Sequence, residues 1–276
     1  MPVSKLKTLA LLILLLANAI LICILVPNRI DEQQEGERAR QSLQTLCARH
    51  SITIDPQIIP DTVTLYALEL SEDNRTSLQA ATALLGEQVL VQDDSTRYLS
   101  LYSSQKGSCR IGRSGTFQAT LTGSEPARDP DRSTRQTLKA MGFQVHTLSE
   151  PQIQSDGSRV MAASQAILGI PVFSDGLALT WTGDQLTQLD GVFYTGAMTR
   201  VSDSPCLSAA DALVAFLSVR FDLGWVGSAI TAMEQGYLRA ETAAAAVVRL
   251  TPVWRLDTDT GSFYIDGISG HVSVAP

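Results

Sequence analysis

The sequence predicts an α+β protein: a single N-terminal transmembrane helix followed by an extracytoplasmic body of helix plus antiparallel meander units. Three observations predict it. An uncharged apolar run opens the chain, short strand-like runs separated by turn residues fill most of the rest, and only a few capped, helix-period segments interrupt them. Of 276 residues, 45% are hydrophobic and 18% charged, enough apolar material for a core, while only 6% are aromatic, so Leu, Val, Ile and Ala must build it. The formal charge is −7, and because Lys5 and Lys7 are the only charged side chains of the first 26 residues, the remainder carries −9. A surface that acidic repels phosphate backbones, which excludes nucleic acid as a partner.

Residues 9–26, LALLILLLANAILICILV, hold no charge. Eighteen residues at 1.5 Å each extend about 27 Å, close to the ~30 Å hydrocarbon core once flanking residues are counted. Ala17-Asn18-Ala19 formally matches a signal-peptidase site, but cutting there leaves ILICILV as an apolar mature start. An uncleaved anchor over residues 1–29, with its short tail, is therefore expected. Cys23 follows Ile22, whereas a lipobox needs a small residue there. Lys and Arg are nearly balanced across the run, so orientation rests on length: few residues precede it and a long body follows, placing the N-terminus in the cytoplasm and the body outside.

Residues 30–50 read as a charged juxtamembrane helix whose Leu43, Leu46 and Cys47 pack on the body. Its continuity with the span would couple the body mechanically to the membrane. A first α+β subdomain is expected over 51–122. Its parts are a strand at 62–70, a helix capped by Asp73 or Asn74 with Leu78, Ala81, Leu84 and Leu85 inward, and strands at 88–91, 98–102 and 116–121. GSCRIGRSG at 107–115 reads as a turn between strands. Residues 123–132, GSEPARDPDR, read as a linker.

A second subdomain over 133–276 contains two helix-meander units. Ser133 and Gln136 form a capping box opening the first helix, and strands follow at 143–148, 158–168, 177–181 and 188–194. Ser208 opens the second helix, with Ala210, Leu213, Val214, Leu217 and Phe221 as its buried stripe. Strands follow at 229–238, 244–256, 263–266 and 271–274. Asp257 to Gly261, DTDTG, is expected as a five-residue hairpin loop, and residues 267–270 as a second turn.

SKLKTLALLILLLANAIL, HSITIDPQIIP, TLYALEL and PVWRLDTDTGSFYIDGISGHV together resemble the YycH/YycI regulatory proteins, with YycI the nearer, and the last segment is also similar to PepSY-type domains. The resemblance implies an extracytoplasmic protein of a Gram-positive envelope. It further implies that the protein tunes a WalK-type (YycG) sensor histidine kinase of a two-component system, partly through transmembrane contacts and with a YycH-like paralogue as a second partner. The family has no catalytic residues to transfer.

The residues agree with a noncatalytic reading. His50, His146 and His271 lie outside any G-x-S-x-G elbow, and there is no HExxH, no GxxxxGK[ST] and no CxxC. No catalytic residue, cofactor or metal is expected. Asp257 and Asp259 are read as turn formers rather than calcium ligands. Cys47, Cys109 and Cys206, at separations of 62 and 97, allow one disulfide plus a leftover thiol, or none. The residues singled out for partner binding are Ala17, Asn18 and Ala19. A lone amide in hydrocarbon gains about 0.6 and up to ~2 kcal/mol from a partner across a helix interface, and the flanking alanines permit close approach; single Asn residues are also tolerated in many spans.

Overall fold

The computed structural model describes residues 37–71, 73–94, 99–201, 203–240 and 247–275. The apolar run 9–26 and Ala17, Asn18 and Ala19 lie outside the described residues. Among the described residues no helix is long and apolar enough to cross a membrane.

Helix α1 (37–49) leads to strand β1 (Thr53–Ile54), a 3-10 turn at Pro56–Ile58 and β2 (Leu68–Ser71). Helix α2 (Asn74–Leu85) precedes a four-strand run, β3 (Leu90–Asp94), β4 (Leu99–Ser104), β5 (Gly107–Gly112) and β6 (Thr116–Leu121). Helix α3 (Pro130–Met141) is followed by β7 (Val145–Leu148), β8 (Gln152–Ile153), β9 (Arg159–Ile167), β10 (Ile170–Thr182), β11 (Gln185–Val192) and β12 (Ala197–Arg200). Helix α4 (Ala209–Val219) then leads to β13 (Ala229–Ala240), β14 (Val248–Thr258), β15 (Gly261–Asp266) and β16 (Val272–Val274).

The expected fold class is corrected here. In place of helix-meander units set in series, the strands form one mixed sheet, running β12-β2-β14-β13-β10-β11-β6-β5-β4-β3. β6, before residues 123–132, pairs with β11, beyond them, and β2 from the early part of the chain lies between β14 and β12. Two pairings are parallel, β1 with β13 and β10 with β13. β10 makes this mixture possible. Its first part meets β13 at Val172↔Tyr237, then its register on β9 shifts between Pro171 and Gly176, and its second part pairs antiparallel with β9 and β11. A Cβ on Gly176 would stand 2.3 Å from the Ala163 carbonyl oxygen, so glycine is what allows the crossing.

Helices cover the sheet in two places, each with its own core. Under α2 and α3, Leu85, Leu138, Met141, Phe117, Trp181 and Leu189 are buried. Trp181 donates its Nε1 proton to Thr134 Oγ1 at 3.1 Å, so the indole is buried without an unsatisfied donor. Around α1 and α4 the core holds Leu43, Cys47, Leu213, Phe216, Trp254 and Leu256. Arg220, just past α4, is buried, donates to the Leu217 carbonyl and lies 3.2 Å from His50 Nδ1. Its charge faces the carbonyl ends of both α1 and α4, where helix dipoles favour a cation.

Several local expectations change with their causes. α4 is apolar nearly all round, so its period left two overlapping stripes. The sheet takes the one with Ala212 and Phe216, and Phe216 meets Trp225 and Phe263 at centroid distances of 5.2 and 5.0 Å. Val214 and Phe221 of the expected stripe are 48% and 75% exposed. Leu78 of α2 is likewise exposed, Ala80 and Ser77 taking the inner positions. GSCRIGRSG is mostly strand β5, with Cys109 and Ile111 inward. α3 starts before its expected box, because Asp129 caps it by accepting from Arg132 N and Pro130 supplies a preset first position. The last hairpin pairs up to Thr258↔Gly261, leaving two loop residues rather than five. Thr258 Oγ1 donating to the Gly261 carbonyl helps to close it.

Candidate functional site

α4 lies against the β15–β16 end of the sheet, where Leu256 and Phe263 point inward. Alternation sends the neighbours of these residues to the opposite face. There the register aligns Glu234, Arg255, Tyr264 and Ser273 across β13, β14, β15 and β16. Glu234, Arg255 and Tyr264 are half-buried. The Phe173 ring of β10 stacks on Tyr264, with centroids 5.8 Å apart and planes 23° apart, and the Arg255 guanidinium carbon lies 5.9 Å from the Phe173 ring. The stack exists because β13 has Gly236 beneath it: a Cβ there would stand 2.4 Å from Phe173 Cε2. Arg255 Nε donates to Asp257 Oδ1 at 2.9 Å, Ser262 Oγ donates to the same oxygen, and His146 Nε2 lies 3.5 Å from Glu234 Oε1. Burial raises the Tyr264 phenol above its ordinary range, Arg255 opposing and Asp257 adding to the shift.

This face carries two aromatic rings, a guanidinium held in place by a carboxylate, and an acid-imidazole pair; of these, Tyr and Arg are types enriched in binding hot spots. Behind it, Tyr194 ties β9 to β10: Gln165 Nε2 donates to the Tyr194 carbonyl at 3.1 Å, Tyr194 N donates to Gln165 Oε1 at 3.0 Å, and the Tyr194 hydroxyl donates to Asp175. Burial and the Asp175 charge hold the Tyr194 phenol protonated far above its ordinary range.

The residues singled out from sequence fall in different places. Ala17, Asn18 and Ala19 lie outside the described residues. His50 sits against Arg220, His146 on the aromatic face, and His271 beside the turn before β16. Asp257 is bound to Arg255 and Ser262. Asp259 accepts from Ser228 N at 2.8 Å, Ser228 Oγ at 3.1 Å and Ala229 N at 3.2 Å, and these bonds hold its carboxyl below the usual range. The two acids thus bind separate protein groups. Arg110 is exposed on β5, whereas Arg113 lines a cavity of about 20 Å³, room for one water. Cys47, Cys109 and Cys206 are free, buried thiols, and burial pushes Cys109 up to about 12. The Phe173-Tyr264-Arg255 group was not found from sequence. Its one available signal was Gly236 inside a strand run, a mark of close approach.

No protein-family model matches the chain, and no curated protein matches it. Among solved structures, an uncharacterized protein from Eubacterium rectale determined at 1.45 Å resolution is similar, with 10% sequence identity and a TM-score of 0.43, covering 79% of this chain and 87% of that one.

Proposed function

We propose that this protein is a noncatalytic regulator tethered at a membrane, acting on a sensor histidine kinase of the WalK type as the resemblance to YycH/YycI proteins implies. The observation that carries the reading is the seating of α1. The chain leaves the uncharged run 9–26 and enters the core through Leu43 and Cys47, while Arg40 donates to the Ile59 carbonyl at 3.0 Å and pairs with Asp61. A displacement applied to α1 is therefore passed to packed residues of the core. Such a tether regulates a kinase only if its contacts differ in free energy between two signalling states.

The test is co-purification from detergent with the kinase, together with a kinase-dependent reporter, for the full chain and for a chain lacking residues 1–29. Loss of both association and reporter effect on truncation is the expected result. A second reading, a PepSY-like module that binds or inhibits a secreted protease or wall enzyme, is favoured by the aromatic-arginine face. It predicts that the fragment beginning at Asp31 keeps its effect and that Phe173→Ala with Tyr264→Ala removes it.

A further inference from the structure

The α2/α3 side of the sheet holds a cleft of about 380 Å³, within the ~300–1,000 Å³ usual for small-molecule sites. Its floor is apolar, made by Leu84, Leu121, Trp181 and Leu186 where they close the core. Its walls are fixed by hydrogen bonds. Thr122 N donates to the Lys106 carbonyl at 2.7 Å, Ala127 N to the Asp184 carbonyl at 2.8 Å, and Ser124 Oγ to the Leu186 carbonyl at 2.8 Å. Gln185 Nε2 donates to the Ser124 carbonyl at 3.0 Å. The loop after β6 is thereby sewn to the β4–β5 turn and the β10–β11 hairpin, so the cleft is preformed.

Four polar residues line it whose side chains make no bond to the protein among the described residues: Lys106, whose Nζ would stand 4.0 Å from a Cβ on Gly86 at the end of α2, Glu125, Ser133 and Thr137. The hydroxyls are the telling pair. Ser133 and Thr137 are half-buried and one turn apart on α3, and neither bonds a carbonyl of the preceding turn. Ser42 and Thr45 of α1 and Ser218 of α4 do return theirs to such a carbonyl. A cation, an anion and two hydroxyls above an apolar floor match a zwitterion that carries an apolar side chain and amide groups.

We propose that this cleft binds a free amino acid or a whole dipeptide with apolar side chains, its carboxylate on Lys106 and its ammonium on Glu125. Ser133 and Thr137 hydrogen-bond its polar backbone. This inference is independent of the regulatory reading, since it concerns binding by the purified chain alone.

The experiment titrates the full chain in detergent calorimetrically with L-leucine, Leu-Leu, N-acetyl-Leu-Leu and Leu-Leu amide. Saturable one-site binding is expected for Leu-Leu or leucine, weakened about two- to fivefold when either terminus is blocked, the worth of an exposed charge pair. Lys106→Met erases the discrimination against the amide, and Glu125→Gln erases that against the acetylated peptide. Both residues are exposed, so both variants keep the fold, which far-UV circular dichroism verifies. Leucine binding as tightly as Leu-Leu assigns the site to free amino acids, and tighter Leu-Leu assigns it to dipeptides. The proposal is overturned if neither probe binds saturably at millimolar concentration, or if binding is unchanged in both variants.

Discussion

Gly236→Ala probes the aromatic face at its base. The new Cβ would meet Phe173 Cε2 at 2.4 Å, Phe173 Cζ at 2.6 Å and the Pro171 carbonyl oxygen at 2.8 Å. Two of these three contacts are with one ring, so Phe173 must swing away, and its stack on Tyr264 goes with it. Overpacking of this kind costs about 1–3 kcal/mol, and the aromatic pair contributes ~0.5–1.5 kcal/mol beyond buried area. In a Phe173→Ala background only the Pro171 oxygen opposes the methyl group, so the same substitution should cost about 1 kcal/mol less there, a coupling typical of touching residues. Urea denaturation of the four proteins of the cycle reads the difference, with melting temperature moving roughly 2–4 °C per kcal/mol for a chain of this class. If Gly236→Ala is neutral, or costs the same in both backgrounds, Phe173 does not rest on Gly236 and the description of this face is wrong.

Arg220→Met removes the donors to the Leu217 carbonyl and His50 Nδ1 in a buried place. It should destabilise by about 1–3 kcal/mol, seen as a lower urea midpoint with unchanged slope. Asp259 has a folded pKa below its unfolded value of about 3.9, so its contribution is complete above that value and is lost as pH falls through the folded pKa. Asp259→Asn should therefore be less stable than the parent at neutral pH, with the gap closing in acid, as urea midpoints at the two pH values will record. Cys47, Cys109 and Cys206 are buried and protonated, burial raising all three thiols. They should resist iodoacetamide in the native chain at mildly alkaline pH and react after denaturation, as peptide mass spectrometry will report.

Local signals were read where a short segment holds the whole cause. Asp73 and Ser208 cap α2 and α4 through their own side chains, accepting from Arg75 N and Asp211 N. β6 occupies residues 116–121 with strict alternation, Phe117, Ala119 and Leu121 inward. Where two local signals competed, the nearer geometry won: Asp129-Pro130 opened α3 ahead of the Ser133-Gln136 box. Where a segment was apolar on all sides, as in α4, no local signal existed to choose its buried face.

What the amino-acid order by itself determined is the net acidity, the uncharged run 9–26, and the position of most strands and caps. What only the tertiary structure decided is which strands became neighbours. It set β6 beside β11 and β2 beside β14, and it laid Phe173 over Gly236 against Tyr264. The physical reason is that a strand's alternation records which side chains need burial, while its backbone groups can ladder with any partner. The choice among partners is made by the burial of the whole chain at once, and so the face assembled from β10, β13, β14 and β15 left no trace in their sequences beyond Gly236, which marks a close approach without saying what approaches.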